Sequence, residues 1–278
     1  MSYNTILFES SNKIATITLN RPDKMNAFSL EMLQELFDAL EKVERDDNVL
    51  VSIVTGAGTA FCAGMDLSSG GDTFDSTRRK EAPASSEQKT FNTLKRYIGL
   101  RKPVIAAING HAVGVGVTMT LPFDMRIAAE GAKIGLIFNR RGVLPELGCP
   151  YFLPRIIGIS KAAELMYTGR ILSAKEALDY GLVSRVVPDV QVMSAAMGLA
   201  REIADNCAPV SVAMTKSMLW QFLFETDIEK IDRINSLYFA WSGQQPDAKE
   251  GVSSFLEKRS PEWKMSVPKD LPDFFPLD

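Results

Sequence analysis

The stretch Ala106-Ala107-Ile108-Asn109-Gly110-His111-Ala112-Val113-Gly114-Val115-Gly116 decides how the rest of the chain is read. Its first part completes PVIAAIN, residues 103–109, an apolar run with the length and composition of a buried strand. The run stops at a glycine-rich turn, 110–116, and residues 117–121 open a helix directly behind it. Strand, turn and helix in immediate succession are the unit of α/β architecture, in which helices carry the crossovers between parallel strands.

Working outward, the unit recurs. Residues 49–55 form a short β-branched strand closed by Gly56-Ala57-Gly58, and a second glycine turn, Phe61-Cys62-Ala63-Gly64-Met65-Asp66-Leu67, follows. Residues 13–20 (KIATITLN) alternate apolar and polar, as a half-buried strand does, and Arg21-Pro22-Asp23 ends them. Ser29 can cap a helix running to about Arg45, with Met32, Leu33, Leu36, Phe37 and Leu40 at helical spacing. Residues 124–129 and 183–187 are further strands. From Ala208 onward only helical patterns occur, over 210–224 and 228–241, before a proline-containing tail at 268–278 that reads as extended. The polar stretch 68–89 reads as a long surface loop. The expected organisation is an α/β core with the site, 1–205, and a helical oligomerisation region, 206–278.

Composition sets the outer limits. The 278 residues are 46% apolar and 23% charged, enough for one large domain or a domain with a helical appendage. A net charge of −3 offers no basic field to nucleic acid. The three cysteines are odd in number and form no CxxC pair, and His111 is the sole histidine, so neither a disulfide framework nor a metal site is expected. The N-terminus lacks the features of a signal or transit segment, and no run reaches the roughly 18 apolar residues of a membrane span. A cytoplasmic protein without resident cofactor is expected.

Glycine lets the backbone approach a ligand, and a helix N-terminus adds free N–H donors with a partial positive charge. Two such turns can aim two N–H groups at one oxygen; read separately, each is equally a plain connection. The GxG of the second turn lacks the third glycine and the acidic residue of a dinucleotide fingerprint.

Taken together, Arg21-Pro22-Asp23-Lys24-Met25-Asn26-Ala27, AFCAGMDL, AAINGHAVGVG and the strand DMRIAA resemble the crotonase (enoyl-CoA hydratase/isomerase) superfamily in order and spacing. Leu153-Pro154-Arg155, Thr168-Gly169-Arg170, AKEALDYG and Phe255-Leu256-Glu257-Lys258-Arg259 extend the resemblance over roughly residues 3–262. It implies a spiral of repeated ββα units, C-terminal helices that build a homotrimer or a dimer of trimers, and an acyl thioester of coenzyme A as substrate. It also implies residue roles. The N–H groups of Ala63 and Val115, with Gly114 and Gly116 shaping the second turn, would form an oxyanion hole. Lys24, Ala27, Met65, Asp66 and Leu67 would line the path of coenzyme A, and Lys258 would reach one of its phosphates, across a subunit boundary if need be. Thr118 and Phe138 would face the substrate.

The acid–base residue is where the chain departs from hydratase-type relatives. They carry glutamates at the positions of Thr118 and Phe138, neither of which can exchange a proton near neutral pH. Glu146, in Val143-Leu144-Pro145-Glu146, matches the single catalytic carboxylate of some isomerase-type relatives; its alternative is a helix cap. The sequence is read as that of an enzyme that shifts a double bond through Glu146 alone. Water addition to a 2-enoyl thioester is the alternative, and a non-catalytic CoA- or RNA-binding paralogue is the rival of another class. His111, Cys62 and Arg78-Arg79-Lys80 read as structural or solvated.

Overall fold

A computed structural model describes residues 3–75 and 93–276. Ten strands alternate with helices: β1 (Ile6–Ser11), β2 (Ile14–Leu19), β3 (Val51–Gly56), β4 (Ala60–Cys62), β5 (Val104–Ile108), β6 (His111–Val113), β7 (Met125–Ala129), β8 (Lys133–Gly135), β9 (Ile171–Ser173) and β10 (Arg185–Val187). The larger sheet has the order β1-β2-β3-β5-β7-β10, the smaller β4-β6-β8-β9.

The alternation between the sheets is the fold. β3, β5 and β7 enter the large sheet in parallel, and each is followed within a few residues by β4, β6 or β8 in the small one. Helices then return the chain to the large sheet, so each turn of the spiral is one ββα unit. Every residue of β3 and β5 is buried, because helices cover the sheet they belong to. The helix Leu30–Arg45 starts where Ser29 Oγ accepts the Met32 N–H at 3.1 Å, and it buries Met32, Leu33, Leu36, Phe37 and Leu40. Each such side chain contributes about 1.5–3 kcal/mol on burial. The helix Val192–Asn206 packs on β3, β5 and β7 through Ala196, Ala200 and Ala204, whose small side chains allow close approach.

The helices Pro209–Phe222 and Ile228–Ser242 form a second apolar cluster around Val210, Met214, Ile234 and Tyr238. Buried Lys216 ties this cluster to the core, its ammonium donating to Asp124 Oδ2 and to the Lys102 carbonyl, both at 2.8 Å. Asp124 also accepts the Val104 N–H at 2.7 Å and the Trp220 indole N–H at 3.2 Å, tying strands and helix together.

Four features differ from the sequence reading. Strand β1 precedes β2 through a two-residue hairpin turn in which Asn12 and Lys13 have φ of 49° and 66°. Strands β4 and β6, each only three residues long, occupy stretches that read as turns. The tail is not wholly extended: Val267–Asp270 is helical, with Pro268 in its first turn, where the missing N–H costs nothing. Of the polar loop, Gly70–Asp72 forms a short 3-10 turn, and the basic cluster Arg78-Arg79-Lys80 lies outside the described residues. Among the described residues, no helix is long and apolar enough to cross a membrane.

Candidate active site

β4 and β6 are parallel neighbours with Cys62 opposite Ala112. The glycine turns that leave them therefore emerge side by side. A Cβ on Gly64 would stand 3.2 Å from the Val113 carbonyl oxygen, so the two turns touch backbone to backbone. In the second turn Gly114 has φ 56° and Val115 is the first residue of the helix Val115–Thr118, where an N–H has no intrahelical acceptor.

The first turn requires a correction. The Ala63 N–H is not available to a ligand, because it donates to the Met25 carbonyl at 3.0 Å. Phe28 N–H donates to the Gly64 carbonyl and Asp66 N–H to the Phe28 carbonyl, at 2.8 and 2.9 Å, and these two bonds bracket Met65. Among the described residues no acceptor takes the Met65 or the Val115 N–H. Met65 stands three residues beyond Cys62 as Val115 stands three beyond Ala112, so strand register pairs these two amides.

Both turns open on a cavity of about 340 Å³. Ala63, Met65, Leu67, Gly114, Val115, Phe138 and Glu146 all line it, with Phe28, Leu33 and Phe74 among its further walls. Phe138, at the position of a hydratase carboxylate, is an apolar wall. Arg141, which the sequence reading passed over, is the cation among the described residues of this surface.

The other expected residues do not line the cavity. Gly116 packs inward: a Cβ there would lie 2.3 Å from the Cys62 carbonyl oxygen, so the position serves contact with β4 rather than with substrate. Lys24 and Asp66 belong to an ion cluster behind the turn. Arg21 Nη2 lies 2.7 Å and Lys24 Nζ 3.3 Å from Asp66 Oδ2, while Arg21 Nη1 donates to the Ala27 carbonyl at 2.5 Å. The Arg21 guanidinium holds the Asp66 carboxyl well below the usual carboxylate range. Lys258 caps the helix Pro246–Glu257 with φ 55° and is exposed. Two more residues complete this frame. Arg21 is one. The other is fully buried Asn26, whose Oδ1 accepts the Arg21 N–H at 2.9 Å and whose Nδ2 donates to the Ala57 and Ala60 carbonyls, both at 2.8 Å.

Glu146 is not the cap of the helix behind it. That helix, Cys149–Ile157, begins at Gly148 with φ 69° and has no side-chain cap. Leu147 and Gly148, both left-handed, separate Glu146 from the helix. Its Oε1 instead accepts a hydrogen bond at 3.0 Å from Thr118 Oγ1, which is fully buried. Thr118 thus sits under the cavity, behind the carboxylate. Two buried thiols share this neighbourhood. Burial, and after it the Glu146 charge, pushes both Cys62 and Cys149 up to about 12, so neither is a ready nucleophile. His111 Nδ1 accepts the Lys133 N–H at 3.3 Å, at the exposed starts of β6 and β8. No group of three His, Cys, Asp or Glu side chains among the described residues could hold a metal ion.

An apolar cavity with two unspent amides at one wall and a carboxylate at another can polarise a carbonyl and move a proton on the adjoining carbons. The comparisons agree with that chemistry. Residues 9–266 match the enoyl-CoA hydratase/isomerase family. The chain is 38% identical to an enoyl-CoA hydratase of Alternaria alternata over 90% of its own length and 83% of that protein. It is 36% identical to the 1,2-epoxyphenylacetyl-CoA isomerase of Escherichia coli, over 93% of its own length and 97% of that protein. The crystal structure of an enoyl-CoA hydratase from Bacillus anthracis superposes with a TM-score of 0.83 at 35% identity, covering 94% of this chain and 99% of that one. With strand order, paired glycine turns and family match all in agreement, this chain is an enzyme of the enoyl-CoA hydratase/isomerase family, with the crotonase fold.

Proposed function

We propose that the enzyme shifts the double bond of an enoyl-CoA thioester, with Glu146 as its single acid–base group and the Met65 and Val115 amides as its oxyanion hole. The carboxylate takes a proton from the carbon α to the thioester of a 3-enoyl substrate. The electron pair runs into the carbonyl, whose oxygen becomes anionic between the two N–H groups. The neutral Glu146 then returns the proton two carbons away, leaving a 2-enoyl thioester with no atom gained or lost. Each pre-aimed donor is worth roughly 3 kcal/mol to such a transition state. Proton transfer by one positioned group adds about 10²- to 10⁴-fold.

The observation that carries this reading is the cavity wall itself. Glu146 lines the cavity, while the two hydratase positions hold Thr118, which does not, and the apolar Phe138. The second reading, water addition, is favoured by the relatives named hydratases at similar identity. A mass-spectrometric product screen with 2-enoyl- and 3-enoyl-CoA esters separates the two, since hydration adds the mass of water and isomerisation adds none. Glu146→Gln should lower isomerisation by about 10²- to 10⁴-fold with little change in binding of a saturated acyl-CoA. A variant as fast as the wild type refutes the assignment.

The proposal extends to the rest of the molecule. Residues 1–205 would act as the catalytic core and 206–278 as the oligomerisation region of a trimer or a dimer of trimers. Leu219, Phe239, Phe255 and Leu256 support this, each at least 68% exposed, more apolar surface than single scattered residues need. A light-scattering mass near three times 30.6 kDa, or its double, tests it. Exposed Lys24 would line the path of coenzyme A, and exposed Lys258 would meet one of its phosphates, across a subunit boundary if need be. Three unpaired cysteines suit a cytoplasmic setting.

A further inference from the structure

Thr118 stands where hydratase-type relatives carry a catalytic glutamate, yet it is not a mere gap in their pattern. Its side chain is fully buried, and its hydroxyl is 3.0 Å from Glu146 Oε1. Facing an ionised carboxylate, which can only accept, the hydroxyl must be the donor. Thr118 lies in the helix Val115–Thr118, whose first residue supplies one of the two unspent amides. The backbone of that segment is held in turn: Thr118 N–H donates to the Gly114 carbonyl at 3.1 Å, and Arg126 Nη1 donates to the Thr120 and Phe123 carbonyls just beyond it, at 2.9 and 2.8 Å. Glu146, by contrast, stands outside any helix, in a turn followed by left-handed Leu147 and Gly148, so regular backbone does not hold it.

We infer that Thr118 is a positioning residue, a rigid hydroxyl that fixes Oε1 of Glu146 at the cavity wall. The inference rests on the reading of Glu146 as the base and adds to it the group that holds the base in place. The oxyanion amide of Val115 and the tether of the base then belong to one four-residue segment, so enolate and base are referred to a common frame. A tether of this kind also favours the charged form of the base, since the hydroxyl donates to a carboxylate but loses that advantage when the group is protonated. The titratable groups facing Glu146 among the described residues include Cys62 beside the first turn, Cys149 on the following helix, Tyr97 on the helix Thr93–Ile98 and Arg141 on the cavity wall. None of these is altered by a change at Thr118.

The test uses the full-length enzyme with Thr118→Val, which keeps the shape and removes the hydroxyl, and Thr118→Ser, which restores it. Val should lower kcat by about tenfold or more, leave KM within about twofold, and move the acidic limb of the kcat/KM profile to higher pH by about one unit. Ser should return the limb to its wild-type position. Thr118→Ala gives the same comparison if Val disturbs folding. Val and Ala variants with the wild-type pH limb and kcat overturn the inference, as does a Ser variant that behaves like Val. Glu146→Gln, measured alongside, keeps the two questions apart. If it abolishes turnover while Thr118→Val is silent, the tether is wrong and the base is right. If Glu146→Gln is itself silent, the reading of the base fails and the tether with it.

Discussion

Gly116→Ala is the sharpest probe of how the two turns are held together. The added Cβ would fall 2.3 Å from the Cys62 carbonyl oxygen, 2.9 Å from Cys62 Cβ and 3.1 Å from its carbonyl carbon. The φ at Gly116 is outside the left-handed region, so alanine meets no backbone strain there and the whole effect is steric. The nearest neighbour is backbone, which cannot rotate away. The helix Val115–Thr118 must therefore withdraw from β4 by about 1 Å to reach ordinary contact. Overpacking of this kind costs about 1–3 kcal/mol of stability. The displacement falls on the segment that carries the Val115 amide and Thr118, and a shift of about 1 Å in a catalytic array costs about 100-fold.

Thermal unfolding and kcat/KM on an enoyl-CoA ester, normalised to folded protein, measure the two effects separately. Gly56→Ala is the control. Its Cβ would meet the Ala60 carbonyl oxygen at the same 2.3 Å, in a turn that does not line the cavity. Gly56→Ala should lose stability and keep its kcat/KM per folded molecule; Gly116→Ala should lose both. The reasoning is refuted if Gly116→Ala keeps wild-type kcat/KM, or if the two variants lose it equally.

Two further outcomes are expected. Alkylation of the native enzyme at pH 8, followed by peptide mass spectrometry, should modify half-buried Cys207 well before Cys62 or Cys149, both buried and pushed up to about 12; equal rates at all three would contradict the packing around Glu146. The ion cluster behind the first turn should make stability depend on pH in a definite sense. Asp66 is held below its ordinary value in the folded state, first by Arg21, so its contribution is present in full above the unfolded value of about 4 and is lost as pH falls below it. Asp66→Asn should accordingly melt below the wild type at pH 7, with the gap closing under about pH 4, as differential scanning fluorimetry across that range would show.

Much of the fold could be read from the chain because its large sheet is built of long, unambiguous signals. The strands inside the runs at 49–55 and 103–109, β3 and β5, are buried throughout, and Ser29 caps its helix as its position suggests. The small sheet could not be read in the same way. β4, β6 and β9 have three residues each, too few for any periodicity to show. β1 was hidden by exposure: only Ile6 of its six residues is buried, so no apolar stripe marks it.

The site divides along the same line between local and long-range information. Val115 and Glu146 occupy places that local pattern and family likeness both indicate, and both line the cavity. Ala63 and Met65 lie two residues apart in one glycine turn, and nothing local tells which N–H is spent. That choice is made by Met25, a left-handed residue nearly forty positions earlier, whose carbonyl takes the Ala63 N–H at 3.0 Å. Met25 is carried there by the Arg21–Asp66 ion pair and by Asn26, whose buried amide spans the Arg21 N–H and the Ala57 and Ala60 carbonyls. The same holds for the tether on the base. Thr118 and Glu146 are 28 residues apart, and a threonine in place of a carboxylate reads as a loss until the fold sets its hydroxyl against Glu146 Oε1. The residues proposed to touch substrate are thus marked by their own neighbourhoods in sequence. Those proposed to position them are marked only by the partners that folding gives them.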